Sequence, residues 1–241
     1  MTDTLYEEAA YYRMLFRERS HDTQFYRDAC KGVTRVMELG VGDGRMATAL
    51  AHAGHEVTGV DLSEAMLASL EQRLEEHTAD VRARVHATCG DARSVRLGQT
   101  FDRVLYPFNG MAHFHDLEAQ AAVLSTVSAH LAPGGRFVFD VMLPDPQLLM
   151  GGASSVPRLE HPRTGRVCRL EESYRYDAFR QVLTIETVLI ERETGARQTL
   201  TLALRQFFPQ ETALLLDRSG FRVLRRDDTL GDTVGWVCER R

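Results

Sequence analysis

The sequence predicts an α/β fold: a seven-stranded sheet built on parallel βα repeats with helices on both faces, a helical cap before it and an antiparallel insertion within it. Three observations lead there. Apolar runs alternate with helical segments from Val33 to Val141, over connections short enough for βα units. A glycine series, Gly40-Val41-Gly42-Asp43-Gly44, joins the first run to the helix after it. Beyond Asp140 the rhythm changes to successive strand-like segments with no room for a helical crossover.

Leu5 to Phe16 and Thr23 to Cys30 read as helices preceding the first strand. The first carries Tyr6, Tyr11, Tyr12 and Phe16, whose spacings cannot all share one buried stripe, so some rings face something other than the core. The strands of the repeat are Val33–Leu39, Glu56–Val60, Arg84–Ala87, Phe101–Tyr106 and Gly135–Val141. Arg45–Ala53, Ala65–His77 and Glu118–Leu131 are the helices between them. Gly54 suits a helix C-cap and Ser63 an N-cap, with the Glu64 charge favoured in the first turn.

Leu143-Pro144-Asp145-Pro146 stops the fifth strand, and Gly151-Gly152-Ala153-Ser154-Ser155 is flexible in composition. Three segments then form an antiparallel meander: Val167–Tyr176, Gln181–Glu191 and Gln198–Phe207. Polar and apolar residues alternate from Thr184 to Ile190, which leaves one face wet. The main sheet resumes with a helix from Pro209 to Ser219, closed by Gly220, and the strands Phe221–Arg226 and Thr233–Glu239. The expected organisation is a cap over 1–32, a core over 33–143, an insertion over 144–207 and the rest of the core over 208–241.

Of the 241 residues, 44% are apolar and 26% charged, values of a globular chain, and the net charge of -5 gives no reason to expect a nucleic acid partner. Arg17-Glu18-Arg19 and Glu191-Arg192-Glu193 read as self-neutralising surface. Cys30, Cys89, Cys168 and Cys238 contain no CxxC pair, which disfavours a disulfide scaffold or a zinc knuckle and leaves no metal site to expect. Met1-Thr2-Asp3-Thr4 starts acidic with no apolar run behind it, and no stretch approaches the roughly twenty apolar residues of a membrane span. The expectation is a cytoplasmic protein with no membrane partner.

The glycine series lies where a strand turns into a helix, and bare backbone there admits a nucleotide-like ligand. Asp61 ends the second strand, placed to accept from both hydroxyls of a ribose. Cys89-Gly90-Asp91-Ala92 follows the third strand; Asp91 can accept from an exocyclic amine while Ala92 leaves space. Glu38 immediately precedes the glycines, where its charge would repel a pyrophosphate and suits a ligand bearing a cation or an amine. No Gly-Lys-Ser/Thr follows, which disfavours a phosphate-gripping loop.

This combination resembles the class I S-adenosylmethionine-dependent methyltransferases, in their small-molecule branch, with a Rossmann-like sheet. The resemblance implies that Glu38, Gly40, Gly42 and Gly44 cradle the amino-acid and ribose parts of S-adenosyl-L-methionine and that Asp61 binds the ribose diol. It further implies an adenine contact from Leu62, a cofactor contact from Met66, an amine contact from Asp91 within Gly90-Asp91-Ala92, and cover from Tyr106. Leu131-Ala132-Pro133-Gly134-Gly135-Arg136-Phe137 is similar to the family's turn into its fifth strand, and Ser219-Gly220-Phe221 extends the likeness.

Ligands of open α/β sheets sit beyond the carboxyl ends of the strands. The fourth strand ends in Tyr106-Pro107-Phe108-Asn109-Gly110-Met111-Ala112-His113-Phe114-His115, rich in rings and hydrogen-bonding groups. Phe108 is a candidate to cover the cofactor or line the acceptor site, and Asn109, His113 or His115 to meet the acceptor. A base is needed only for a protonated acceptor, and histidine titrates in the right range. His113 is preferred, because His115 precedes Asp116 and can instead open the next helix. By the same resemblance the first helix acts as a lid, with Tyr12 toward the cofactor and Tyr11 toward the acceptor. The insertion acts as a substrate wall or a homodimer contact, with Arg205 a candidate for an acceptor carboxylate. The function implied is methyl transfer to a nitrogen or oxygen of a small molecule, such as an amino sugar or amino acid derivative. The alternatives are non-methylating, cyclase-like use of the same cofactor, or a non-catalytic partner protein on the same fold.

Overall fold

The computed structural model describes residues 4–16, 20 and 22–241. The charge alternation at Arg17-Glu18-Arg19 and the start at Met1-Thr2-Asp3 lie outside these residues. The central strand β1 (Arg35–Leu39) pairs in parallel with β2 (Glu56–Asp61) on one side and β4 (Phe101–Tyr106) on the other. β3 (Val85–Cys89) lies outside β2, and β5 (Leu131–Met142) lies outside β4. The sheet is completed by β11 (Thr233–Arg240), antiparallel to β5, and β10 (Phe221–Leu230), antiparallel to β11. The order β10-β11-β5-β4-β1-β2-β3 reverses direction of progression at β1/β4. A parallel α/β sheet opens its crevice at such a reversal.

Strand residues alternate between two cores. Met37, Leu39, Val104, Phe137 and Phe139 face α6 (Leu117–His130) and α8 (Pro209–Arg218). Val36, Val57, Leu105 and Val138 face α2 (Thr23–Ala29), α3 (Arg45–His52), α4 (Glu64–Glu75) and α5 (Ala79–Ala83). The Ser63 hydroxyl caps α4 by accepting from the Met66 N–H, and Asp116 caps α6 by accepting from the Ala119 N–H.

Three expectations need correction. The first predicted helix is two pieces, a 3₁₀ turn at Thr4–Glu7 and α1 (Ala9–Phe16). Pro146, read as a strand stop, also opens the short α7 (Pro146–Leu149) under an Asp145 cap. The insertion has four strands rather than three: β6 (Gly152–Glu160), β7 (Val167–Asp177), β8 (Val182–Glu191) and β9 (Arg197–Arg205). The Gly/Ser composition of β6 hid it. Its pairing to β7, from Gly152↔Tyr174 to Glu160↔Val167, makes it a strand, and Pro157 falls in the irregularity between Val156 and Leu159. A third apolar cluster of Leu5, Tyr11, Cys168, Leu189 and Leu200 fastens the amino-terminal segment to this second sheet.

Candidate functional site

Because β1, β2, β3 and β4 are parallel, Leu39, Asp61, Cys89 and Tyr106 end on one edge of the sheet. The glycine turn lies there. Gly40, Gly42 and Gly44 have φ of 64°, 56° and 82°, a region that penalises any residue with a Cβ. Space imposes a second requirement: a Cβ on Gly40 would stand 2.9 Å from the Tyr106 ring, and one on Gly44 would stand 2.1 Å from Leu70. Asp61 braces the turn. Its Oδ2 accepts the Gly42 N–H at 2.8 Å and its Oδ1 accepts the Ser63 N–H at 2.8 Å. Burial pushes its carboxyl up, and those backbone donors and the nearby His113 oppose the shift.

Glu38 is 2% exposed, and its Oε2 is buried without a hydrogen-bond partner. Burial raises its pKa well above the usual carboxylate range; Arg45 opposes this, and Asp61, Asp43 and Asp22 add to it. Such a group is an acceptor still to be satisfied, beside a turn stripped of side chains. Asp43, within the turn, is tied to Arg73 and lies 3.5 Å from the Arg13 guanidinium of α1. Arg13 also donates to the Ser69 hydroxyl at 2.8 Å, which fixes α1 against α4.

The loop after β4 carries strain. Phe108 and Asn109 are consecutive non-glycine residues with φ of 57° and 58°. Asp140, fully buried at the end of β5, holds them: its carboxylate accepts the Phe108 N–H at 2.7 Å, the Asn109 N–H at 3.0 Å and the Tyr26 hydroxyl. Gly110 lets the loop close, since a Cβ there would stand 2.1 Å from the Tyr106 ring. The loop then meets the amino-terminal segment in an aromatic cluster. Phe16 lies 4.8 Å from Phe108 edge-on, Tyr12 6.1 Å from Phe108, and Tyr6 5.2 Å from His113. The Tyr6 hydroxyl bonds His113 Nε2 at 3.0 Å, while the Tyr6 carbonyl accepts the Ser63 hydroxyl at 2.9 Å. Arg45, in a two-bond ion pair with the buried Asp22 at 2.7 and 2.8 Å, lies 6.0 Å from the Phe108 ring.

The predicted residues therefore divide. Glu38, Gly40, Gly42, Gly44, Asp61, Tyr106, Phe108, Tyr12 and His113 converge on one edge. Leu62 is 66% exposed, an apolar surface next to Asp61. Gly90 continues from that edge through its N–H to the Asp61 carbonyl at 2.9 Å, with Ala92 after it. Met66 is buried and would lie 3.3 Å from a Cβ on Gly42, so it supports the turn from behind. Asp91 is engaged by Arg93 in a forked ion pair that lowers its pKa.

Four expectations for acceptor contacts meet other partners. Tyr11 turns into the cluster with Cys168 and Leu189, because it sits a third of a helical turn from Tyr12. Asn109 uses its Oδ1 to accept the Met142 N–H at 3.1 Å. His115 Nε2 bonds the Ala203 carbonyl at 2.9 Å and ties the loop to β9. Arg205 is 7% exposed, ion-paired with Glu211 and stacked over Phe207 at 5.5 Å, so a local carboxylate already satisfies it. Sequence reasoning missed Tyr6, Asp22, Arg45 and Asp140. An acid inside the apolar run Phe137-Val138-Phe139-Asp140-Val141 was the available signal, since unpaired carboxylates are not buried.

Comparison with known proteins adds to this geometry. The family described as "Methyltransferase domain" matches residues 36–135, the stretch from β1 into β5. That stretch of the chain is similar to a methyltransferase domain. The fold, a seven-stranded mostly parallel sheet with a further antiparallel sheet, is consistent with the Rossmann-like methyltransferase fold. The CcbJ methyltransferase from Streptomyces caelestis superposes with a TM-score of 0.76 at 26% identity, covering 91% of this chain and 88% of that one. The cypemycin N-terminal methyltransferase of a Streptomyces species is 34% identical over 105 residues, 44% of this chain and 40% of its own length. The dTDP-3-amino-3,4,6-trideoxy-alpha-D-glucopyranose N,N-dimethyltransferase of Streptomyces venezuelae is 26% identical over 51% of this chain and 48% of its own. The matched region thus spans less than half of these two curated relatives. No helix among the described residues is long and apolar enough to cross a membrane.

Proposed function

We propose that this protein binds S-adenosyl-L-methionine in the crevice at β1/β4 and transfers its methyl group to an amine nitrogen of a small molecule. The observation that carries the reading is Glu38: a buried carboxylate with an unspent oxygen, beside three glycines that admit a ligand to the backbone. That donor set fits a cofactor with an ammonium and a sulfonium and does not fit a pyrophosphate. When bound, the cofactor supplies an electrophilic methyl carbon. Glu38 faces its cationic amino-acid end, Asp61 accepts from its ribose with the lone pairs left by Gly42 and Ser63, and Leu62 offers a surface for adenine.

The chain's other residues position the acceptor and exclude water. Tyr6, Tyr12, Phe16 and Phe108 form an aromatic wall that receives an amine by ring-face attraction. His113 takes a proton from an acceptor that arrives as an ammonium, with Tyr6 fixing its ring. The antiparallel sheet closes the far side through the His115–Ala203 bond. Nitrogen is favoured over oxygen by this aromatic and acidic lining, and the two curated relatives described above are named for the methylation of amino groups. The deciding experiment is calorimetric titration with S-adenosyl-L-methionine, followed by labelled-methyl transfer to matched amine and alcohol panels. Saturable cofactor uptake with labelling of amines alone supports the proposal. Lack of uptake at millimolar cofactor overturns it, and labelling of alcohols alone overturns the choice of nitrogen.

A further inference from the structure

The edge of the sheet opposite the glycine turn holds a second concentration of charge. A groove of about 400 Å³ runs there between the end of α2 and strands β4, β5, β10 and β11. Arg103 on β4 and Arg136 on β5 are register partners and leave the same face side by side. Arg103 is 9% exposed. Its Nε donates to the Ala29 carbonyl at 2.6 Å and its Nη1 to the Asp102 carbonyl at 2.7 Å. Both acceptors are neutral, and among the described residues neither Arg103 nor Arg136 has an ion-pair partner. Lys31 and Arg225 close the rim.

The neighbouring acids are already engaged. Asp28 holds Lys31 at 2.6 Å, and Asp227 holds Arg225 at 3.1 Å. Glu239, opposite Arg136 across the β5–β11 ladder, accepts Arg222 Nε at 2.9 Å. Burial and, after it, the adjacent Arg136 pull the Arg103 pKa down, with Cys30 and Asp102 opposing the shift. Two planar guanidinium forks rise from adjacent strands, whose backbones run about 4.8 Å apart, and present paired donors suited to the oxygens of linked phosphates. Ala29, Leu224 and Val237 supply apolar lining beside them.

We propose that this groove is a binding site for a diphosphate group, held by the Arg103 Nη2 and the Arg136 guanidinium with Lys31 and Arg225 at the rim. The site is separate from the cofactor crevice, since Arg103 lies near the start of β4 and Tyr106 ends it at the opposite edge. The group is either free pyrophosphate or the diphosphate of a nucleotide, and the two sources differ only in what the apolar lining covers.

Titration calorimetry at fixed ionic strength tests this, with pyrophosphate and ADP as probes and potassium chloride as the matched control. The expected result is saturable binding of at least one probe, weakened at least tenfold in Arg136→Ala and in Arg103→Met. Arg180→Ala, in the distant β7–β8 hairpin, retains it. Arg136 is exposed, so its variant keeps the wild-type melting temperature and reports on binding rather than folding. Equal affinity for both probes identifies the free anion as sufficient; tighter ADP binding places the nucleoside on Leu224 and Val237. No saturable binding by the wild-type protein, or undiminished binding in Arg136→Ala, overturns the proposal. S-adenosyl-L-methionine titrated into Arg136→Ala keeps its wild-type affinity, so the groove and the crevice fail or succeed independently.

Discussion

Replacing Glu38 by Gln keeps the shape of the side chain and removes its charge from a site that is 2% exposed. In the unliganded protein that charge is a burden: burial comes first, then Asp61, Asp43 and Asp22, all set against Arg45 alone. The folded carboxyl therefore titrates above its unfolded value. The stability it contributes is fully present below the ordinary carboxylate range and is lost as pH rises through the raised value. Glu38→Gln should flatten that part of the stability–pH curve and leave the protein at least as stable at neutral pH. Ligand binding should respond in the opposite direction. A cationic ligand favours the ionised form, so the cofactor must draw a proton out of the site wherever Glu38 is protonated beforehand. A hydrogen bond to a charged group is worth about 1.5–3 kcal/mol, so the variant should bind S-adenosyl-L-methionine roughly 10- to 150-fold more weakly. Calorimetry in buffers of different ionisation enthalpy reads affinity and proton release together. An unchanged Kd in Glu38→Gln, with the same proton release as wild type, would refute the assignment of this carboxylate to the ligand's cation.

Three further substitutions separate the parts of the crevice. Asp61→Ala strands the Gly42 and Ser63 N–H groups and removes a ribose acceptor; cofactor affinity should fall by about 1.5–3 kcal/mol and urea denaturation should show a loss of about 1–3 kcal/mol. Asp140→Asn turns an NH₂ toward one of two backbone donors, which should cost about 1.5–3 kcal/mol in chemical denaturation and raise amide exchange at Phe108 and Asn109 before other sites. His113→Ala should cut methyl transfer to a protonated amine by about 10²-fold with little change in cofactor Kd, and the loss should shrink as pH approaches the acceptor's own pKa; equal rates at all pH values would show that His113 only packs against Tyr6.

The legible parts were the local ones. Glu38, the three glycines and Asp61 announce themselves because strand, turn and helix follow within a short span, and backbone freedom is written directly into residue type. The Ser63 cap is likewise a matter of three residues. What escaped depends on distant partners. Asp140 finds Tyr26 across 114 positions and Phe108 across 32, and no periodicity signals either contact. Arg45 reads as an ordinary first-turn residue until Asp22 is placed beside it. Tyr11 and Tyr12 are interchangeable as letters, and only the docking of α1 sends one into the second sheet and the other toward Phe108. β6 needed β7 to exist, so its composition pointed to a loop.

Tyr106 gives the crevice a common spacer. The same edge of its ring lies against the backbone at Gly40, on the side assigned to the methyl donor, and at Gly110, on the side assigned to the receiver. The gap between the two loops is thus gauged by one rigid aromatic plate that neither loop can shift alone. Redesign of the receiver side has a natural boundary here: trimming this one ring would alter the reach of donor to receiver before any contact with the acceptor had been touched.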